Sequence, residues 1–226
     1  MATLGNSNQI IVGAAQVFIS TQGALEYVSG SGSASIYNFG SGSVSSIPAF
    51  TGGTPYADDL ETNYSSDWRN VGYTMNGLEV QFQPDFGEVQ VDQLLDVAKL
   101  YKQGMQVNMV TAFAEATLEN LLVSVAAPDN DLSGPASERT MVMSSGELGS
   151  VPVERALIAI GPGSGDPEAT GADKVERVYV AHRVLSIDNV TVSAKRDEPS
   201  MFEVSFRLLP TANGAYGKIV DRTVGS

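Results

Sequence analysis

The 226-residue chain contains no cysteine and a single histidine, His182. Without cysteine there is no disulfide framework and no thiolate nucleophile, so the chain is not a small disulfide-stabilised secreted scaffold. One histidine cannot build a histidine-rich zinc site or a His-Glu-x-x-His helix. Because His182 lies in the middle of an apolar strand pattern, we interpret it as a structural side chain.

Positive charge is scarce, and the first part of the chain has none. The formal net charge is −13, and the first basic residue is Arg69. Duplex binding depends on Lys and Arg that neutralise phosphates, so a chain this acidic should repel nucleic acid. Acidity also keeps many proteins soluble, and therefore it does not define a function by itself.

Long apolar runs are lacking as well. The N-terminal stretch has no basic region, and its apolar run is interrupted by Gln16. That run is shorter than the ~20 residues that a membrane span needs. We therefore expect a soluble first strand and no membrane insertion by this chain.

Motifs for catalysis, cofactors and metals are mostly missing. The glycine-rich stretch 161–165 continues with Asp166 where a dinucleotide fingerprint needs glycine, and no serine lies in a Gly-x-Ser-x-Gly or Ser-x-x-Lys motif. Asp129–Gly134 begins like a calcium loop, but Thr140 stands where the bidentate glutamate belongs. We predict no catalytic residue, no metal and no cofactor. A carboxylate-based hydrolase is the least supported alternative. The two carboxylates that such an enzyme needs are recognised by their distance in the fold and not by their spacing in the sequence.

What the chain does have is the composition of a folded, mainly β protein. Hydrophobic residues make up 42% and charged residues 17%, with 23 glycines. We predict one domain over residues 1–226, which opens with a hairpin formed by residues 10–19 and 24–28. Further strands are predicted after residue 135. They are Met141–Ser144, Val151–Ile160, Val175–Ile187, Val190–Ala194 and Met201–Leu209.

Residues 29–67 form a Gly/Ser-rich segment with apolar residues at intervals. One interpretation is a mobile surface loop, and the other is a long arm that becomes ordered on a neighbouring subunit. Trp68 would anchor its root. The candidate contacts of such an arm are Ile36, Tyr37, Phe39, Ile47, Phe50 and Tyr56.

The most regular pattern lies between residues 78 and 92. Apolar and polar residues alternate with a period of two, which predicts strands with one buried and one wet face. Pro84, Asp85 and Gly87 carry turn chemistry, so we predict a hairpin that reverses at these residues. Its wet face is acidic and amide-rich. The residues on that face are Glu79, Gln81, Gln83, Glu88, Gln90 and Asp92.

A strand and one helix follow this hairpin. Met105–Phe113 is apolar enough for a central strand. Leu118, Leu121, Leu122 and Val125 form one helical stripe, with Thr117 as N-cap and Pro128 as the end. We expect this helix to cover one side of the β structure.

Several short motifs in this region resemble the major tail tube proteins of long-tailed siphophages. They are Val71-Gly-Tyr-Thr-Met-Asn-Gly77, Glu88-Val-Gln-Val-Asp-Gln93, Ala114-Glu-Ala-Thr-Leu-Glu-Asn-Leu121 and the strand end Glu203–Pro210. The resemblance implies two packed antiparallel sheets, as a sandwich or barrel, flanked by a helix. It implies assembly into stacked hexameric rings that conduct DNA, contact with other tail proteins, and location in the virion tail after assembly in the host cytoplasm.

The resemblance suggests a function for the alternating pattern between residues 78 and 92. A pore that conducts DNA must not bind it, so a lumen lined by acids and amides keeps phosphates away. We hypothesise that the wet face lines the lumen and that the Gly/Ser-rich arm is an inter-ring strap. A type VI secretion-like tube protein and a virion decoration or adhesive β-sandwich are the alternatives. The first would form smooth rings without arms, and the second would present ligand loops at residues 129–140 or 161–174.

Overall fold

The computed structural model describes residues 13–28, 36–39, 47–50, 52–90, 96–135, 137–143, 148, 152–165, 173–192, 196 and 200–225. These residues are mainly strands, with two α-helices and a short 3-10 helix at Asp129–Asp131. The helices are α1 (Tyr56–Asn63) and α2 (Leu118–Ser124). The strands are β1 (Gln16–Ser20), β2 (Leu25–Val28), β3 (Ile36–Phe39), β4 (Trp68–Asn70), β5 (Thr74–Gln90), β6 (Val97–Phe113), β7 (Leu132–Ser133), β8 (Thr140–Met141), β9 (Arg155–Pro162), β10 (Val175–Ser186), β11 (Phe202–Leu208) and β12 (Gly217–Thr223).

The prediction of a mainly β chain is confirmed, and most of the described strands belong to one large antiparallel sheet. Eight strands form an antiparallel sheet in the order β4-β1-β9-β10-β11-β6-β5, with β12 also paired to β10. The reason is the length of β10, which pairs with β12 through Val175–Ala181 and with β11 through Val184–Ser186. One strand thereby joins both halves of the sheet. Two further sheets have two strands each, β2-β3 and β7-β8.

The predicted opening hairpin is wrong, because β1 lies inside the large sheet. β1 pairs with β4 on one side and β9 on the other, whereas β2 pairs with β3. Val17, Phe18 and Ile19 are consecutive and all buried. A strand that is apolar on both faces needs cover on both, which a two-stranded hairpin does not give.

Two hydrophobic cores lie on opposite faces of the central strands. Leu157 of β9 belongs to the first core with residues of β6, β11 and α2, such as Phe113 and Phe206. The neighbouring Ile158 points to the second core with Tyr56 and Leu60 of α1. The central strands therefore separate a core under the β6-β11 region from a core under α1 and the β2-β3 hairpin.

The interpretation of residues 29–67 as a loop or arm is corrected for the part that the structure describes. Ile47 and Tyr56 are buried in the second core, and Tyr37, Phe39 and Phe50 pack against it. Phe50 stacks on Tyr56 with ring centroids 5.0 Å apart, and the Tyr56 hydroxyl donates to the Pro48 carbonyl. Ile47 and Tyr56 are therefore buried within their own chain, whereas Tyr37, Phe39 and Phe50 are half-buried against the same core. The side chain of Ile36, the sixth candidate, lies outside the described residues.

Helix α1 was missed because it follows a Gly/Ser-rich stretch. Its sequence signals are ordinary ones: Pro55 precedes the helix, and Asp58 and Asp59 lie in its first turn. Tyr56 and Leu60 are spaced i, i+4 and are both fully buried. The predicted anchor Trp68 is 2% exposed and packs beside Phe39 in this core.

Helix α2 confirms the predicted helix and its N-cap, but the helix ends at Ser124 and not at Pro128. The Thr117 side chain accepts a hydrogen bond from the Asn120 backbone N–H. The buried side differs from the predicted stripe, because Val125 is 46% exposed whereas the polar Asn120 is fully buried. The buried side of α2 therefore contains the polar Asn120, which has several hydrogen-bond partners, and does not contain Val125.

His182 confirms the interpretation of a structural histidine. Its ring is 1% exposed and stacks on Tyr37 of β3, with centroids 3.8 Å apart and planes at 21°. Burial, with a smaller contribution from the Lys218 ammonium, lowers the pKa of His182 to about 4, and a backbone interaction with Ala215 offsets part of this.

This burial predicts acid sensitivity. The folded pKa lies below the ordinary 6.5, so the unfolded chain takes up a proton first as the pH falls. His182 therefore makes its full contribution to the unfolding free energy above pH 6.5. Roughly 3 kcal/mol of this free energy is lost as the pH falls towards 4. We expect His182→Phe, which keeps an aromatic ring against Tyr37, to flatten the pH dependence of the urea unfolding free energy between pH 7 and pH 4.5. An unchanged slope would contradict the buried neutral histidine.

Candidate functional site

Strands β5 and β6 form a long two-stranded ribbon at the edge of the sheet. Each strand has 17 residues, and their pairing runs from Thr74 opposite Phe113 to Gln90 opposite Val97. β5 is the edge strand, since the sheet order ends with it. We call β5 and β6 together the ribbon.

The predicted reversal at Pro84, Asp85 and Gly87 is wrong, because all three lie inside β5. Pro84 pairs with Met105 of β6, and an edge strand tolerates proline because its outer side needs no N–H donor. At Gly87, an added Cβ would lie 2.6 Å from the Tyr101 ring carbon Cζ. The glycine therefore makes room for an aromatic ring from the opposite strand, and it does not form a turn.

Continuous pairing splits the predicted wet face between the two faces of the ribbon. Side chains along a strand alternate between faces, and directly opposite residues share a face. No pairing irregularity adds a residue to β5 between Glu79 and Gln90. Glu79, Gln81 and Gln83 therefore share one face, and Glu88 lies on the other. The Gln90 side chain and Asp92 lie outside the described residues.

The first of these faces is rich in acids and amides, and we call it the polar face. Gln81 donates to Glu79 at 2.9 Å on β5, and Gln106 donates to Asn108 at 3.4 Å on β6. The members of the polar face on the ribbon are Glu79, Gln81, Gln83, Asp85, Gln106 and Asn108.

The polar face continues onto β11 and gains a positive charge there. Arg207 lies opposite Asn108, and Ser205 and Glu203 follow on the same side of the strand. Glu203 and Arg207 are exposed, whereas Phe206 and Val204 between them are buried in the first core. Over β5, β6 and β11 this side of the sheet carries the acids Glu79, Asp85 and Glu203 together with two basic residues, Arg207 and Lys99. The surface is acidic but not free of positive charge.

The opposite side of the ribbon, which we call the apolar face, changes from buried to exposed along its length. Val107 and Met109 are buried in the first core. Further out, Phe82 is 53%, Phe86 54% and Leu100 59% exposed. The apolar face consists of Val80, Phe82, Pro84, Phe86 and Glu88 on β5 with Leu100, Lys102, Met105, Val107 and Met109 on β6. An apolar strip thus leaves the core and runs out along the ribbon.

The start of the ribbon is held by two of the four motifs named above, Val71–Gly77 and Ala114–Leu121. The Asn120 side chain donates to the Val71 carbonyl at 2.8 Å and to the Glu115 carbonyl at 2.9 Å, and it accepts from Arg69 at 2.8 Å. Glu115 in turn accepts from the Tyr73 backbone N–H at 3.0 Å. These residues join the entry of α2 to the segment that leads into β5.

Gly72 is required at this junction. Its φ is +84°, and an added Cβ would overlap the Glu115 carboxyl group. In the sequence these two motifs are separate short patterns. Neither pattern indicates that Asn120, on a short helix, would be the residue that binds them together.

The Asp129 carboxylate, first in the calcium-like sequence, forms an ion pair with the buried guanidinium of Arg155. The following residues form the small β7-β8 hairpin. Within the described parts of the chain, no three acids and histidines are grouped so as to hold a metal ion, and no helix there has the length and apolarity to cross a membrane.

Comparison of the chain with models of known protein families and with curated proteins gives no match.

Proposed function

We propose that this chain is a structural tail tube protein of the siphophage type, which assembles into stacked hexameric rings around a channel for DNA. The observation that carries the proposal is the amphipathic ribbon. It places an acidic, amide-rich surface and an exposed apolar strip on opposite sides of two 17-residue strands. A two-faced element of this kind suits a subunit that contacts its neighbours on one side and water on the other.

The apolar strip supports self-association. Phe82, Phe86 and Leu100 are each more than half exposed, and exposed apolar patches of several hundred Å² mark interaction sites on soluble proteins. At roughly 100 Å² of exposed surface each, these three side chains reach the lower end of that range. A protein that works as an isolated monomer would gain nothing from this exposure and would risk aggregation.

The polar face supports a channel wall. Glu79, Asp85 and Glu203 give it negative charge, while its amides offer uncharged hydrogen-bonding groups. Phosphates would be repelled and not held, so DNA could slide past. Arg207 and Lys99 are the exceptions on this side; Arg207 is opposite the uncharged Asn108, and Lys99 is opposite Val89. The revised lining is Glu79, Gln81, Gln83, Asp85 and Gln106, without Glu88, whereas Asn108 on the same face is buried.

The test is the assembly state of the purified chain. We expect light scattering to detect hexamers or larger particles and negative-stain microscopy to reveal rings or tubes with a central channel. Dispersed monomers at all concentrations and salt conditions would refute the proposal and would favour the decoration or adhesive alternative.

A further inference from the structure

An apolar groove of about 300 Å³ lies between the ribbon and strand β12. The ribbon side of the groove is the apolar face, including Phe82 and Met105, and the other side includes Tyr216 and Ile219. The Tyr216 hydroxyl donates to the Met105 carbonyl at 2.6 Å and ties the two sides together. Ile219 is 52% exposed at the rim. The groove is formed, apolar and open to the outside.

The same chain carries a matching projection. Phe86 and Leu100 lie on the apolar face beyond the groove, near the end of the ribbon, and both are more than half exposed. Their two side chains have about eleven carbon atoms, and a 300 Å³ groove holds about ten water volumes. The size of the projection therefore suits the size of the groove.

The described residues of the groove present no charged group to the ribbon. Among the described residues that line the groove, Lys218 is the charged one, but its ammonium lies 4.3 Å above the Phe50 ring, on the side of the second core and away from the ribbon. On the projection, Glu88 lies directly opposite Leu100 on the same face. Lys102 on that face reaches back to the Met105 sulfur. The groove and the projection therefore match in apolar character and size.

A groove and a projection at different places on one chain make a head-to-tail contact between copies. Such contacts close into rings when the rotation allows and otherwise grow into filaments. Phe86 and Leu100 supply roughly 200 Å² of apolar surface, whereas a stable interface buries about 800 Å² per partner. The contact would thus orient neighbours as one part of a larger interface.

We infer that the ribbon end of one subunit, through Phe86 and Leu100, docks into the β12 groove of the next subunit. This inference rests on the proposed function, because it specifies how the copies that form the tube recognise one another. It assigns the occupant of the groove as a second copy of this chain.

Cysteine cross-linking tests the contact cleanly, since the chain has no cysteine of its own. Two double variants place one cysteine at the groove rim and one on the apolar face of the ribbon end: Ile219→Cys with Lys102→Cys, and Ile219→Cys with Glu88→Cys. The matched control is Ile219→Cys with Lys99→Cys. Lys99 pairs with Val89 on the polar side of the same ribbon end, and disulfides need Cα atoms within about 7 Å.

We expect mild oxidation of the assembled protein to give a ladder of covalent multimers with both apolar-face pairs and no ladder with the control pair. A mixture of the single variants Lys102→Cys and Ile219→Cys should stop at covalent dimers. Assembled particles in which neither apolar-face pair cross-links, or in which the control cross-links equally, would overturn the inference and leave the proposed function standing. A chain that stays monomeric by light scattering would refute both.

Discussion

Replacing Phe86 and Leu100 together by serine should abolish assembly while the monomer stays folded. Both side chains are more than half exposed in the isolated chain, so their removal costs little folding stability. In the docked state they would lie in an apolar groove, and losing them should cost about 2 to 3 kcal/mol per contact. That corresponds to roughly 30- to 150-fold weaker association at each contact, repeated around the ring. Light scattering across a concentration series measures the loss.

The matched control exchanges two apolar side chains on the opposite side of the same ribbon end. Val89 is 40% and Tyr101 46% exposed, and both lie on the polar side. We expect Val89→Ser with Tyr101→Ser to reduce assembly far less than Phe86→Ser with Leu100→Ser. Equal losses in the two double variants would mean that general hydrophobicity of the ribbon end drives association, and this would count against a face-specific contact.

Asn120→Ala should destabilise the fold more than any other single truncation of a polar side chain described above. Asn120 is fully buried and binds Val71, Glu115 and Arg69 through its amide group. Its loss leaves two carbonyls and a largely buried guanidinium without this partner, which should cost roughly 3 to 5 kcal/mol. Urea unfolding followed by circular dichroism measures the change.

Asn63→Ala is the matched control for this substitution. Asn63 is exposed near the end of α1 and donates one hydrogen bond to Asp59 at 2.6 Å. Its replacement should change the unfolding free energy by no more than about 0.5 kcal/mol. If both asparagine variants changed the unfolding free energy by less than this limit, the hydrogen bonds of Asn120 between α2 and the start of the ribbon would not stabilise the fold as we expect.

The parts of the fold that followed from sequence are those with a clean local period. β11 alternates buried and exposed residues from Phe202 to Leu208 and lies where the pattern predicts. Thr117 caps α2 as expected. In both cases neighbouring residues carry enough information, because burial on one face of a strand or one capping hydrogen bond is a local property.

The errors arose where distant residues override a local signal. Pro84 and Gly87 look like turn residues, but pairing with β6 extends the strand through them, and Tyr101 explains the glycine. That extension reverses the face on which Glu88 lies. β12 was missed because it has little apolar character of its own and is held as a strand by β10.

The polar face was predictable in its chemistry but not in its full membership. Glu79, Gln81 and Gln83 follow from alternation, whereas Gln106 and Asn108 belong to it only through the β5-β6 register. The groove could not be predicted, since it brings residues of the ribbon together with the distant Tyr216 and Ile219.

A cryo-EM reconstruction of the assembled chain is the most direct test of the proposed tail tube. We expect stacked hexameric rings in which Glu79, Gln81 and Gln83 point into a continuous channel, while Phe86 and Leu100 are buried against the next subunit. Rings or tubes whose channel is lined by other surfaces, with the polar face turned outwards or buried between subunits, would contradict it.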